Sequence, residues 1–100
     1  MTDTAKKRII NKIKVTNMRN GRGREVVNQF EITTPEGVYF QSYKSLIAFI
    51  PSDSSKVYLD KTYWDYSRTT GKYRNQFLRE GIKETRGKIK AGLYELVELN

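Results

Sequence analysis

The chain has 100 residues, of which 37% are hydrophobic and 12% aromatic, and its formal net charge is +8. This length supports one domain with a single core, and the content of large apolar residues excludes a disordered chain. The absence of cysteine excludes a disulfide framework, and no apolar run approaches the about 20 residues of a membrane-spanning helix.

A basic arm and a β-hairpin are predicted at the start of the chain. Residues 1–8 are polar and basic, so we expect a flexible arm that precedes a single domain over residues 9–100. Alternating apolar residues predict strands over 9–18 and 25–34. Asn20–Gly23 predicts the turn between them, because Asn and Gly accept the positive φ of hairpin turns.

Further strands are predicted in the middle of the chain. Pro35–Gly37 is typical of a turn, since Pro presets φ and Gly relieves the steric limit. Residues 38–41 predict a third strand and residues 56–59 a short one, while residues 42–50 fit either a strand or a helical turn. Short connections between the first three strands favour an antiparallel meander.

Helices are predicted in the second half. Capping side chains near Ser67 indicate a helix start, and Tyr73 and Phe77 form an i,i+4 pair on that helix. Residues 82–91 continue the helical pattern, and residues 93–99 predict a last strand. The predicted fold class is therefore α+β. A three-stranded antiparallel meander with one or two further short strands packs against one or two helices.

The bulkiest residues on the apolar stripes are expected to form the core. In the strand over 25–34, Val26 and Phe30 alternate onto one face. We therefore predict that Phe30 meets Phe77 where the sheet contacts the first helix. Trp64 stands beside the capping residues and is predicted to be largely buried.

No enzymatic role is predicted. Histidine and cysteine are both absent, so the usual proton shuttle and thiol nucleophile are missing. Asp60 and Asp65 suit the first turn of a helix as well as an acid–base pair. Gly21–Gly23 lacks the third glycine and the Lys-Ser/Thr of a phosphate-binding loop. The sequence predicts no catalytic residue, no cofactor and no metal site.

Cations and aromatic residues are concentrated in Tyr58–Glu80, which holds six of the twelve aromatic residues and five cations. Such a mixture suits stacking on bases and neutralising phosphates, although it also suits a packed helix with solvated charges. We predict a non-enzymatic protein that binds nucleic acid or a nucleoprotein through a basic, Tyr/Arg-rich surface. The predicted contacts are Arg22, Arg24, Lys61, Tyr66, Arg68, Lys72, Arg74 and Arg79.

The motifs Val27–Phe30, Phe40–Tyr43, Trp64–Tyr73 and Gln76–Leu78 resemble a family of small bacteriophage and mobile-element proteins, mostly of Gram-positive bacteria. The resemblance runs from about Gly21 to the C-terminus and assigns no site residues. It implies a phage-derived protein in the cytoplasm of a bacterial host. The absence of a long apolar run, independently of this resemblance, predicts no membrane partner. Small phage proteins commonly handle nucleic acid or inhibit host machinery. This leaves two alternatives: an inhibitor that docks on an acidic host protein or nucleoprotein, as anti-CRISPR proteins do, and a self-assembling accessory protein.

Overall fold

The structure is a computed structural model that describes residues 12–100. They form a six-stranded sheet and two helices, which confirms the predicted α+β class. Neither helix of this described part is long and apolar enough to cross a membrane. The predicted arm, residues 1–8, lies outside the described residues. The elements are β1 (Lys14–Arg19), β2 (Glu25–Thr34), β3 (Gly37–Ser42), β4 (Ser45–Pro51), β5 (Val57–Asp60), α1 (Arg68–Leu78), α2 (Ile82–Lys90) and β6 (Tyr94–Val97).

The strands lie in the sheet in chain order from β1 to β6. All neighbouring pairs are antiparallel except β5 and β6, which are parallel because α1 and α2 form the crossover between them. The segment that fitted either a strand or a helical turn is β4. Both α1 and α2 lie in the second half of the chain, where the sequence predicts helices.

The β1–β2 turn is held by the side chain of Asn20. Its Oδ1 accepts hydrogen bonds from the backbone N–H groups of Arg22 (2.9 Å) and Arg24 (3.1 Å). Gly23 has a φ of 75°, in the left-handed region that favours glycine. The predicted hairpin turn is confirmed, and it presents two arginines at its tip.

A left-handed residue in β2 reverses the faces expected from the sequence. Asn28 has a φ of 65°, and beyond it Phe30 pairs with Gln41. Paired residues point to the same side of a sheet, and Gln41 points away from its buried neighbour Phe40. Phe30 therefore lies on the face opposite the helices. The predicted contact with Phe77 is wrong; the ring that meets Phe77 is Phe40, with centroids 5.7 Å apart.

The core lies between the sheet and the helices. Phe40, Ile47 and Leu59 are fully buried, and α1 adds Phe77. Trp64 is only partly buried and packs against the margin of this core, so it is less enclosed than predicted. The core cluster comprises Met18, Phe40, Ile47, Ala48, Leu59, Tyr73, Phe77 and Tyr94.

The first helix begins where the sequence predicts. Ser67 is its N-cap, and the Ser67 side chain accepts a hydrogen bond from Thr70 N at 3.1 Å. The Thr70 hydroxyl meets the buried Ser42 hydroxyl of β3 at 2.9 Å. This contact fixes the start of α1 over the end of β3, and Arg79 ends the helix in the left-handed region.

Phe40→Ala is expected to lower the free energy of unfolding by about 3–5 kcal/mol, because it leaves a cavity at a fully buried site. Phe30→Ala is the matched control and is expected to cost markedly less, since its ring lies on the uncovered face. Urea denaturation followed by circular dichroism measures both losses. Equal losses would contradict the assignment of faces.

Candidate nucleic-acid interface

One face of α1 carries a stripe of cations. Arg68 and Lys72 are exposed and lie four residues apart, which places them on the same side of the helix, and the exposed Arg79 follows at its C-cap. Among residues 12–100, none of the three has a carboxylate within 4.0 Å. We call these residues the α1 cationic stripe; their charges are available to an external anion.

A hydrogen bond places the arginine hairpin beside the same helix. Gln76 Nε2 of α1 donates to the backbone carbonyl of Arg19 at 2.8 Å, one residue before the β1–β2 turn. The turn presents Arg22 and Arg24, both exposed and, within the described chain, without an ion-pair partner. The sequence predicts both cation groups but gives no reason to join them. The fold makes them neighbours.

Arg86 adds a cation that sequence reasoning missed. A shallow cleft between α1 and α2 is lined by Arg68, Lys72 and Arg86, with Asp65 and Ile82 among its other lining residues. Asp65 Oδ2 lies 3.6 Å from Arg86 Nη2. The available signal was the four-residue spacing of Ile82 and Arg86, which places both on one face of α2. The sequence alone does not show that this face meets α1.

Arg74 is a structural residue and not a surface contact. Only 1% of the residue is exposed. Its Nη1 donates to the Trp64 carbonyl (2.8 Å) and to Asp65 Oδ1 (2.9 Å), and its Nη2 donates to Asn75 Oδ1 (3.0 Å). The guanidinium also lies 5.3 Å from the centroid of the Trp64 ring. This placement corrects the prediction that Arg74 contacts a partner, because the residue is buried and its Nη1 and Nη2 donate within the fold.

The two remaining predicted contacts differ in position. Tyr66 is 57% exposed, directly precedes the N-cap of α1 and packs edge-on with Tyr63, with centroids 5.6 Å apart. Lys61 follows β5 and pairs with Glu98 at 3.0 Å. Tyr66 therefore belongs with the α1 cationic stripe, whereas the charge of Lys61 is compensated by its neighbour.

Asp60 fastens the C-terminal residues to the sheet. The residue is buried and its carboxylate accepts from the backbone N–H groups of Thr62 (3.0 Å), Tyr63 (2.9 Å) and Leu99 (2.9 Å). Burial alone raises the pKa of Asp60, but these hydrogen bonds outweigh it and hold the pKa below its ordinary value. Asp60 is therefore an ionised clamp, and Asp65 is paired with Arg74. Within residues 12–100, no cluster of acidic side chains is suited to a metal ion.

Glu80 joins α1, α2 and β6. Its side chain is 2% exposed and accepts from Thr85 Oγ1 (2.6 Å), Lys88 Nζ (2.7 Å) and Tyr94 Oη (2.7 Å). Burial alone raises the pKa of Glu80, but the hydrogen bonds from Lys88, Thr85 and Tyr94 together lower it. The same burial, with Glu80 nearby, raises the pKa of Tyr94. This ionised carboxylate fixes α2, and with it Arg86, relative to the sheet.

Acid is expected to weaken the fold through Glu80. Because its folded-state pKa lies below the unfolded value of 4.5, its contribution is present above pH 4.5 and is lost as pH falls through the folded value. Glu80→Gln should therefore lower stability at neutral pH and reduce the loss below pH 4.5. Urea denaturation across this range tests it, with exposed Glu36→Gln as control. Identical pH profiles for Glu80→Gln and the wild type would contradict the assignment.

Arg74→Gln is expected to lower the free energy of unfolding by about 1–3 kcal/mol, because the buried guanidinium no longer donates to the Trp64 carbonyl and to Asp65. Arg68→Gln is the same change on the exposed side of the same helix, and it should stay within about 0.5 kcal/mol of the wild type. Urea denaturation compares the two variants. Similar small effects for both would mean that Arg74 is not a structural residue.

Comparison with solved structures finds no match, and comparison with curated proteins finds none either. The model of a family of unknown function, DUF8033, matches residues 13–92, a range that contains both helices and all the predicted contact residues. The chain belongs to this family, DUF8033.

Proposed function

We propose that this protein binds nucleic acid, without catalysing a reaction, through phosphate contacts on its helix layer. The supporting observation is the hydrogen bond from Gln76 to the Arg19 carbonyl, which joins two groups of unpaired cations into one surface. Such cations displace counterions from the phosphate backbone, and this gives affinity without sequence specificity. The proposed contacts are the unpaired cations Arg22, Arg24, Arg68, Lys72 and Arg79; Arg86 lies beside them but is paired with Asp65.

The dimensions of the α1 cationic stripe suit a phosphate backbone. From Arg68 to Arg79 the helix advances about 16 Å at about 1.5 Å per residue. This equals the axial rise of about five base pairs of duplex at about 3.4 Å each. The hairpin lies beside Gln76 and extends the cationic surface away from the helix axis. Several phosphates are therefore within reach of a single molecule.

Tyr66 favours a single strand within this proposal. Its ring is 57% exposed beside Arg68, and its contact with Tyr63 is edge-on at an interplanar angle of 88°. A ring this exposed offers surface for stacking on an unpaired base, and such stacking tolerates any base. Stacking at Tyr66 and phosphate contacts along α1 together describe a sequence-tolerant single-strand binder.

The biological setting is also a proposal. The resemblance to bacteriophage and mobile-element proteins supports an accessory protein that acts in the bacterial cytoplasm on nucleic acid. The alternative is an inhibitor that docks on a host protein, such as an anti-CRISPR-type protein. There the same cations meet an acidic protein surface, and salt again weakens binding. Binding to purified nucleic acid separates the two.

Simultaneous replacement of Arg68, Lys72 and Arg79 by Gln is expected to weaken binding to a labelled single strand while leaving the fold intact. The plot of log affinity against log salt should flatten by roughly one unit for each phosphate that the variant no longer neutralises. Fluorescence anisotropy over a series of salt concentrations measures both effects.

The matched control for this variant replaces Lys12, Lys14 and Lys56 by Gln. It removes the same charge from residues that lie on or before strands and not on the helices. If binding depended only on the net charge of the protein, both variants would lose affinity for the strand equally. Binding that is absent at low salt, or that ignores salt, would overturn the proposal. Capture of a host protein from a nuclease-treated lysate would then favour the inhibitor.

A further inference from the structure

A groove lies at the C-terminal end of α1 on the helix side of the sheet. The helix ends at Leu78, and Val38 and Ile50 of the sheet remain only partly buried beside its end. The groove has a volume of about 590 Å³, within the range of about 300–1,000 Å³ that is typical of small-molecule sites. We call it the α1 groove; its lining residues include Glu31, Val38, Ile50, Phe77, Leu78 and Arg79.

The α1 groove has apolar walls. Val38 of β3 pairs directly with Ile50 of β4, and both lie with Leu78 at the margin of the core. Phe77, a member of the core cluster, also lines the groove. A ligand with flat apolar faces is stabilised here, because it removes these partly exposed side chains from water.

Glu31 brings an uncompensated carboxylate to these apolar walls. It pairs with the buried Phe40, and paired residues share a face, so its side chain lies on the helix side of the sheet. Glu31 is partly buried, and within the described part of the chain no cation lies within 4.0 Å of its carboxylate. Such a group loses hydration without gaining an ion pair, which is expected where a ligand supplies the donors.

Arg79 brings a cation to the same groove from a left-handed backbone position. It has a φ of 57° and a ψ of 44°, and as the C-cap of α1 it donates its backbone N–H to the Asn75 carbonyl. Glycine is favoured at such a position, because an L side chain adopts this conformation at a cost in free energy. The stability of the helix end therefore does not account for an arginine, whereas contact between its guanidinium and a phosphate does.

The α1 groove adjoins the arginine hairpin. A second groove, which reaches Arg19, shares Glu31 and Gln76 with it. Arg19 directly precedes the β1–β2 turn, where the two arginines of the hairpin are presented. A strand whose phosphates contact the hairpin and Arg79 therefore passes the α1 groove.

The chemistry of the α1 groove suits a neutral, flat ligand that carries N–H donors. Glu31 repels a phosphate, and a cationic ligand is repelled by Arg79 and by the net charge of +8. An unpaired nucleobase has apolar faces for the walls and hydrogen-bonding groups on its edge for the carboxylate. Among the common bases, guanine presents two adjacent N–H donors on its Watson–Crick edge, and an ionised carboxylate accepts at both oxygens.

We propose that the α1 groove binds an unpaired guanine, with Glu31 accepting from N1–H and from the N2 amine and Arg79 contacting the adjacent phosphate. This inference rests on the proposed binding of a single strand. It adds a preference at one nucleotide to binding that otherwise tolerates any sequence. Phosphate contacts supply the general affinity, and the α1 groove determines which base is held beside them.

Fluorescence anisotropy with labelled thymidine strands that differ at one central position tests this preference. The strand with guanine should bind about tenfold more tightly than those with adenine, cytosine or thymine, because a bidentate contact discriminates between bases by about that factor. Inosine keeps N1–H but lacks the N2 amine, so its strand should fall between guanine and adenine. Equal affinities for all the strands would overturn the inference and leave the proposed function intact.

Glu31→Gln should abolish the preference for guanine, because the amide replaces one of the two acceptors with a donor. Glu36→Gln is the matched control. It makes the same change of charge at an exposed residue of the β2–β3 turn, so it should keep the preference. Circular dichroism shows whether each variant is folded. A preference that survives in folded Glu31→Gln would overturn the assignment.

Arg79→Gly should raise the urea midpoint of unfolding and weaken the binding of every strand to a similar degree. Glycine adopts the left-handed conformation without strain, and the variant loses one phosphate contact. A lower midpoint with unchanged binding would show that Arg79 is a structural residue and would overturn its part in the site.

Guanosine monophosphate separates this inference from the proposed function, because it carries the base and a phosphate without the rest of the strand. Titrated to millimolar concentration, it should shift the methyl NMR signals of Val38, Ile50 and Leu78, and adenosine monophosphate should shift them much less. If no strand binds at any salt concentration, the proposed function fails, and these signals still decide whether the α1 groove holds guanine. Equal shifts from both nucleotides, or no shift at these methyl groups, would overturn the inference.

Discussion

The ion pair between Arg74 and Asp65 determines how the helix layer is arranged. A buried guanidinium needs an ion-pair partner and hydrogen bonds, and Nη1 of Arg74 obtains both from the Trp64 carbonyl and Asp65, which it holds against α1. With Arg74 turned inward, the opposite side of the helix carries Arg68 and Lys72 into solvent. The second oxygen of Asp65 faces Arg86 of α2. One carboxylate thus links the inward arginine to the cationic cleft between the helices.

The two sides of the molecule have opposite character. The helix layer carries unpaired cations, while the sheet face opposite α1 and α2 carries an apolar row in which Tyr39 pairs with Ile32 and Phe49. Positive charge and this apolar row are therefore kept on separate sides, so an anion that approaches the cations of the helix layer does not meet the row.

Local signals predicted much of this fold, and long-range contacts account for what they missed. The hairpin at Asn20 and the start of α1 at Ser67 follow from side chains that bond to neighbouring backbone, so sequence alone identifies them. The left-handed Asn28 reverses the alternation of β2 and places Phe30 on the sheet face opposite the helices, yet no neighbouring residue in the sequence requires this conformation. Arg74 lies among buried α1 residues, but its partner Asp65 is recognisable only once the chain is folded. The exposure of the α1 cationic stripe followed from helical spacing alone; its meeting with the hairpin depends on Gln76 and Arg19, which are 57 positions apart in sequence.

The distribution of acidic residues explains why positive charge persists on one side. Asp60, Asp65 and Glu80 are committed to structural contacts, and the pKa of Asp60 and of Glu80 is held below its ordinary value by hydrogen bonds that outweigh burial. Asp60 and Glu80 therefore stay ionised in mild acid without neutralising the stripe. Histidine, the side chain whose charge ordinarily changes between about pH 5 and pH 8, is absent. Salt, and not pH, is consequently the variable to which the cationic surface responds near neutrality.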